Sequence, residues 1–134
     1  MEKDLKKIIF TLLLLLSSLF AELKNEALSQ QLLDSKIPIV DIRTPGEWKQ
    51  TGIIKGAIPI MFFDERGKYD INSFLKELNA KVDTSKPFAL ICRTGSRTKT
   101  ISTFLANKLN YKVTNITGGI MYPEMQNPPF VPYK

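Results

Sequence analysis

The residues best suited to chemistry lie in one short polar segment between an apolar run and an amphipathic stretch. In chain order they are Cys92, Arg93, Thr94, Gly95, Ser96 and Arg97. A cysteine thiolate is a strong nucleophile, and neighbouring arginines favour the thiolate over the thiol. A glycine lets consecutive backbone N–H groups turn inward as a nest that binds anions. The segment therefore predicts a nucleophilic cysteine beside a site for an anionic substrate.

The composition excludes several other kinds of site. The 134 residues include one Cys and no His, so the chain has no Ser-His-Asp triad, no Cys-His dyad, no internal disulfide and no cysteine pair for zinc. We therefore expect neither a metal nor a cofactor. The formal net charge is +6, but it is spread along the chain without a basic stripe, so we expect no nucleic-acid partner.

The elements around the polar segment alternate between strands and helices. Apolar, β-branched runs predict buried strands over residues 37–42, 88–92 and 112–116. Helical spacing or a helix-starting proline predicts helices over residues 27–33, 45–49, 71–78 and 96–109. This alternation predicts an α/β fold with a mainly parallel sheet.

Smaller features complete this prediction. Pro59 places a short strand over 57–61 at an edge or a bend, and Asn72 or Ser73 is able to cap the third helix. Residues 64–70 form a polar loop, and the proline-containing tail is expected to be extended.

The position of the polar segment supports its chemistry. It follows a predicted strand and opens a predicted helix, and ligands in open α/β sheets bind beyond the carboxyl ends of the strands. A helix N-terminus there offers free N–H groups and a positive dipole end. A lone cysteine after an apolar strand is commonly an inert buried residue. The two arginines and the glycine favour a reactive one.

Four blocks of this sequence resemble the single-domain rhodanese family of sulfurtransferases, in the family's order. They are VDIRTPGEW at 40–48, GIIKGAIPI at 52–60, CRTGSR at 92–97, and the segment from Tyr111-Lys112-Val113 to Gly118-Gly119-Ile120. The resemblance covers about residues 35–123. It implies a central parallel sheet of about five strands flanked by helices, in one domain over residues 22–134.

The resemblance also implies a reaction. Cys92 would attack the outer sulfur of an anionic donor, thiosulfate or polysulfide, and become a persulfide. A thiol or cyanide would then accept that sulfur. Loop N–H groups from about Arg93 to Arg97 would stabilise the thiolate and the persulfide, and both arginines would hold the donor.

The length of the loop distinguishes this function from phosphatase activity. The related phosphatases use a loop longer by one residue, with Arg at the sixth position after Cys, where this chain has Thr98. A six-residue ring suits one sulfur atom better than a tetrahedral phosphate. A non-catalytic binding module of the same fold, or a periplasmic carrier of polysulfide sulfur, remains as an alternative.

Three charged residues occupy the positions of the family's acid-Arg-acid block: Asp41, Arg43 and Glu47. Arg43 could shape the wall of the active site. We favour the alternative that the three form a structural ion-pair network after the first strand.

The chain departs from the family pattern at two places. Ile53 replaces a usual His, and Met121-Tyr122-Pro123 replaces a region that usually has a Trp. The second departure leaves the nearby wall of the pocket, and with it the acceptor, unassigned.

The N-terminus is typical of an export signal. Lys3, Lys6 and Lys7 precede an uncharged, leucine-rich run over 8–20, and Ala21 follows. This run is shorter than the ~20 residues that span a bilayer. We therefore expect residues 1–21 to be a signal peptide cleaved after Ala21, with an uncleaved anchor as the alternative. The domain is expected to be periplasmic or otherwise exported, with no stable membrane span once the signal is cleaved.

Overall fold

The computed structural model describes residues 1–17 and 23–134. The helices among them are α1 (Glu2–Ser17), α2 (Gln30–Asp34), α3 (Pro45–Thr51), α4 (Ile71–Lys81) and α5 (Ser96–Leu109). The strands are β1 (Lys24–Ala27), β2 (Ile39–Asp41), β3 (Ile53–Ile54), β4 (Ile58–Pro59), β5 (Phe88–Ile91), β6 (Val113–Thr117) and β7 (Phe130–Val131).

A five-stranded parallel sheet organises the fold, in the order β1-β6-β5-β2-β4. The polar segment follows β5, the central strand, so its residues lie at the carboxyl edge of the sheet. The other sheet is a small antiparallel pair in which Ile53 of β3 faces Val131 of β7.

The hydrophobic core lies on both faces of this sheet because successive side chains of β5 point in opposite directions. Phe88 and Leu90 belong to one cluster, with residues of α4 and α5, whereas Ala89 and Ile91 belong to the other, with residues of α2. Cys92 continues the first alternation and joins the α4 and α5 side. The cysteine is therefore held at the end of a fully buried strand.

The predicted α/β fold with a parallel sheet of about five strands is confirmed. The bounds predicted for the helix over 96–109 match α5. Pro59 lies in β4 at the edge of the sheet, as predicted.

Two local predictions were wrong. Ala27 ends strand β1 instead of starting a helix, and α2 begins only after Ser29, whose side chain caps it. β1 is an exposed polar edge strand that is stabilised by pairing with β6. Its sequence therefore lacks the apolar alternation from which a strand could be predicted. Asp70, and neither Asn72 nor Ser73, caps α4. The tail is extended, but it also pairs as β7.

Helix α1 lies outside both core clusters, which contain no described residue before Leu23. The apolar side chains described in its first part, up to Leu12, are exposed, for example by 64% at Ile8 and 65% at Phe10. Among the described residues, no helix has both the length and the hydropathy needed to cross a bilayer. The predicted cleavage position after Ala21 lies outside the described residues.

Candidate active site

The polar segment forms a tight loop between β5 and α5. Gly95 has a left-handed φ of 95° and is the N-cap of α5, where no side chain caps the free N–H groups. A side chain at this position would meet the backbone N of Gly118 at 2.8 Å. Only glycine therefore fits both the conformation and the space. The helix leaves its first-turn N–H groups and its positive dipole end directed at the loop.

Cys92 lies inside this loop with no exposed surface. The backbone N–H of Gly95 donates a hydrogen bond to Cys92 Sγ at 3.2 Å. The Thr98 hydroxyl lies 3.5 Å from the same sulfur. A backbone donor aimed at sulfur stabilises negative charge on it, so the arrangement suits a thiolate or a persulfide.

A second segment, residues 118–121, holds the loop in place. Ile120 N donates to the Cys92 carbonyl at 3.0 Å, and Met121 N donates to the Arg93 carbonyl at 3.1 Å. Gly119 makes this approach possible, because a Cβ there would collide with both carbonyl oxygens. Its φ of 54° is also left-handed. The glycine pair seen in the sequence thus supports the loop between β5 and α5 directly.

The two loop arginines have different surroundings. Arg97 is partly buried and donates two hydrogen bonds to the Glu47 carboxylate, each 3.0 Å long. Arg93 is exposed, and its guanidinium has no hydrogen-bond or ion-pair partner among the residues that the structure describes. Arg93 is therefore available for an anion, whereas Arg97 would first have to leave Glu47.

The acid-Arg-acid block divides into two separate ion pairs. Arg43 is fully buried and binds Asp41 through Nε and Nη2, with a shortest distance of 2.8 Å. Its remaining donors reach Thr51 Oγ1 at 2.8 Å and the Gly52 carbonyl at 2.9 Å. Glu47 pairs instead with Arg97 of the loop. The Asp41–Arg43 pair fixes the turn after β2, and Glu47 ties α3 to the loop.

An open pocket of about 360 Å³ lies beside the loop. Its lining residues are Arg43, Glu47, Gln50, Thr51, Arg93 and Met121. Met121 belongs to the segment in which the chain departs from the resembled pattern, and its side chain is half exposed. Cys92 is not among the residues that line this pocket.

The remaining predicted loop residues lie at its surface. The hydroxyls of Thr94 and Ser96 are 3.4 Å apart, and both residues are exposed. Ile53, at the other departure, lies in β3 away from the pocket lining. No group of three or more Cys, Asp or Glu residues in the described part of the chain could hold a metal ion.

Sequence reasoning missed two asparagines behind the cysteine, the buried Asn115 of β6 and the exposed Asn25 of β1. Asn115 Oδ1 lies 2.6 Å from Thr98 Oγ1, and Asn115 Nδ2 donates to Asn25 Oδ1 at 3.0 Å. From the sequence, Thr98 distinguishes this loop from that of the phosphatases, which have Arg at that position, and nothing there indicates a contact with the cysteine. The available signal was Asn115 itself, a residue type that is depleted in strands, inside the strand predicted over 112–116.

Comparison with known proteins gives consistent matches. The sequence profile described as the rhodanese-like domain matches residues 24–122. The uncharacterized protein RP600 of Rickettsia prowazekii (strain Madrid E) is 34% identical over 99 residues, covering 71% of this chain and 78% of that protein.

Two solved structures share the fold. Rv0390 from M. tuberculosis has a TM-score of 0.58 at 17% identity, covering 73% of this chain and 80% of its own. A rhodanese-like domain protein from Staphylococcus aureus has a TM-score of 0.55 at 20% identity, covering 75% of this chain and 93% of its own.

Proposed function

Because the chain belongs to the rhodanese-like domain family, we propose that it is a sulfurtransferase that works through a persulfide on Cys92. The donor is a small sulfur anion, thiosulfate or polysulfide, and the acceptor is a thiol or cyanide. The observation that carries the proposal is the hydrogen bond from Gly95 N–H to Cys92 Sγ, 3.2 Å long, at the uncapped N-terminus of α5.

The first half-reaction uses the loop as an electrostatic cradle. The Cys92 thiolate attacks the outer sulfur of thiosulfate, so that a new S–S bond forms while the S–S bond of the donor breaks. Sulfite leaves with the electron pair of that broken bond. Gly95 N–H and the first turn of α5 stabilise the anionic sulfur before and after transfer.

The second half-reaction restores the enzyme. The acceptor attacks the outer sulfur of the persulfide and forms thiocyanate from cyanide, or a new persulfide from a thiol. Cys92 leaves as the thiolate, so no oxidant or reductant is consumed. No general base is needed, which fits a chain that contains no His.

The charges support an anionic donor. Arg93 lines the pocket without a partner among the described residues, so it is the cation best placed to attract thiosulfate. Arg97 is already neutralised by Glu47. In this proposal Arg93 binds the donor and Arg97 positions the loop.

Intact-protein mass spectrometry tests the reaction. Thiosulfate or polysulfide should add one sulfur atom, about 32 Da, to the protein, and cyanide should remove it. Cys92→Ser should remain unmodified. Absence of the added sulfur with every donor tried would refute the proposed function and favour a binding module.

We also propose that the protein is exported. The basic start, the leucine-rich run and Ala21 support this, as does the position of α1 outside the core clusters. N-terminal sequencing of the protein from cell fractions is the test. A periplasmic chain beginning at Glu22 is expected, and an intact N-terminus found only in the cytoplasm would contradict export.

A further inference from the structure

A buried chain of polar side chains runs from the cysteine to the edge of the sheet. Thr98 and Asn115 are 0% and 3% exposed, and Asn25 lies at the surface of β1. Asn25 and Asn115 face each other in the register of β1 and β6. The links are Cys92 Sγ to Thr98 Oγ1 at 3.5 Å, Thr98 to Asn115 at 2.6 Å and Asn115 to Asn25 at 3.0 Å.

The donor-to-acceptor direction of these hydrogen bonds depends on where the Thr98 hydroxyl hydrogen points. A hydroxyl has a single proton to donate but can accept as well. Asn115 Oδ1 can only accept, so the Thr98 hydroxyl donates its hydrogen bond to it at 2.6 Å. A lone pair of the Thr98 oxygen then faces the sulfur. That arrangement accepts the S–H of a neutral Cys92 thiol.

The same hydrogen bonds can also form with donors and acceptors exchanged. Rotating both Asn amides exchanges their oxygen and nitrogen while keeping the contacts, so Asn25 donates to Asn115 and Asn115 donates to Thr98. The Thr98 proton is then available to its two other neighbours, the Gly95 carbonyl at 3.2 Å and the Cys92 sulfur at 3.5 Å, and an anionic sulfur is the stronger acceptor of the two. A negative sulfur thereby gains a second donor beside Gly95 N–H, and none of the buried groups loses its partner.

We infer that Thr98 is a positioning residue whose hydroxyl stabilises the anionic sulfur of Cys92, and that Asn115 and Asn25 keep that hydroxyl satisfied in both states. This deepens the proposed function and rests on it for its catalytic meaning. Its physical claim, however, concerns the thiolate alone and needs no sulfur donor.

Ultraviolet absorbance of the thiolate tests the inference, because Cys92 is the only cysteine in the chain. Absorbance near ~240 nm is followed against pH for wild type, Thr98→Val and Thr98→Ser, with the Cys92→Ser curve subtracted. Thr98→Val keeps the volume and removes the hydroxyl. We expect its midpoint to move about one pH unit upward, the effect of losing one hydrogen bond to a charged group.

Matched variants separate this role from a structural one. Thr98→Ser keeps the hydroxyl and should restore the wild-type midpoint. Thr103→Val makes the same change on an exposed face of α5 and should leave the midpoint of the Cys92 absorbance curve unchanged. The charged groups of the surrounding elements, Arg93, Arg97, Glu47 and the Asp41–Arg43 pair, are the same in all variants.

Each outcome decides the inference. If Thr98→Val does not fold, Thr98→Ala tests the same upward shift without a branched side chain. An unchanged midpoint in a folded Val or Ala variant would overturn the role of Thr98. If the midpoint moves but wild type takes no sulfur from any donor, the inference stands and the proposed function fails.

Discussion

Arg97 donates two hydrogen bonds to Glu47, each 3.0 Å long, although 50 residues separate them in the chain. The contact joins Arg97, in the first turn of α5, to Glu47 of α3. Because both groups are partly buried, the pair is better shielded from water than a surface ion pair. It explains why one loop arginine is held in place while Arg93 is free to meet a ligand.

The first prediction concerns this ion pair. Glu47→Gln and Arg97→Met should each lower the free energy of unfolding, and the double variant should lose less than their sum. Bidentate, partly buried geometry gives an expected coupling of about 1 kcal/mol, measured by urea unfolding. Zero coupling would show that the ion pair does not stabilise the fold, and a thiosulfate KM raised by Arg97→Met but not by Glu47→Gln would show that Arg97 binds the donor directly.

Arg93 should determine donor affinity. Arg93→Met removes a pocket cation that has no partner among residues 1–17 and 23–134, so KM for thiosulfate should rise about tenfold while kcat changes little. Lys108→Met makes the same change in charge at an exposed site on α5 and serves as the control. Equal effects in the two variants would mean that only the overall charge of the protein matters.

Gly119 should be intolerant of a side chain. A Cβ there collides with the carbonyl oxygens of Cys92 and Arg93, whereas Gly67, with a comparable φ of 74°, has open space around it. Gly67→Ala should cost only the left-handed backbone, about 1–2 kcal/mol. Gly119→Ala should lower the unfolding free energy further and abolish most sulfur transfer. Equal stability of the two variants in urea unfolding would contradict the close approach.

The Asp41–Arg43 pair should be a stabilising unit of the fold. Arg43→Met leaves the Asp41 carboxylate buried without its main partner, so we expect a loss of about 3–5 kcal/mol. Adding Asp41→Asn removes the buried charge and should recover part of that loss. Thermal and urea unfolding of the single and double variants measure this. A double variant less stable than Arg43→Met would argue against the pair.

Asp70 should give the fold one acid-sensitive cap. The Ser73 backbone N–H, which donates to this carboxylate at 3.0 Å, holds the pKa of Asp70 below its ordinary value of 3.8. A lowered carboxyl pKa stabilises the fold above 3.8, and this contribution is lost as pH falls through the lowered value. Asp70→Asn keeps an acceptor for Ser73 but cannot titrate.

The measurement is urea unfolding of wild type and Asp70→Asn between about pH 2 and pH 6. The stability advantage of wild type over the variant should be largest above 3.8 and shrink at lower pH. A difference that does not change with pH would show that the charge of Asp70 contributes nothing to the cap.

The sequence by itself determined the parts that depend on neighbouring residues. Apolar and helical spacing predicted the central strands and α5, and the glycine of the loop predicted the turn at Gly95. The reactivity of Cys92 and the anionic partner stay predictions. These features follow from local periodicity and from residue chemistry within a few positions, so one stretch of chain contains the whole signal.

Only the tertiary structure decided which distant residues meet. β1 is a strand because β6 lies beside it, Glu47 of α3 binds Arg97 and not Arg93, and Asn115 of β6 binds Thr98 of α5. Gly119 supports the loop because residues 118–121 return against it. Parallel strands are joined by crossovers of many residues, so such contacts depend on how elements pack and leave no periodic pattern in the chain.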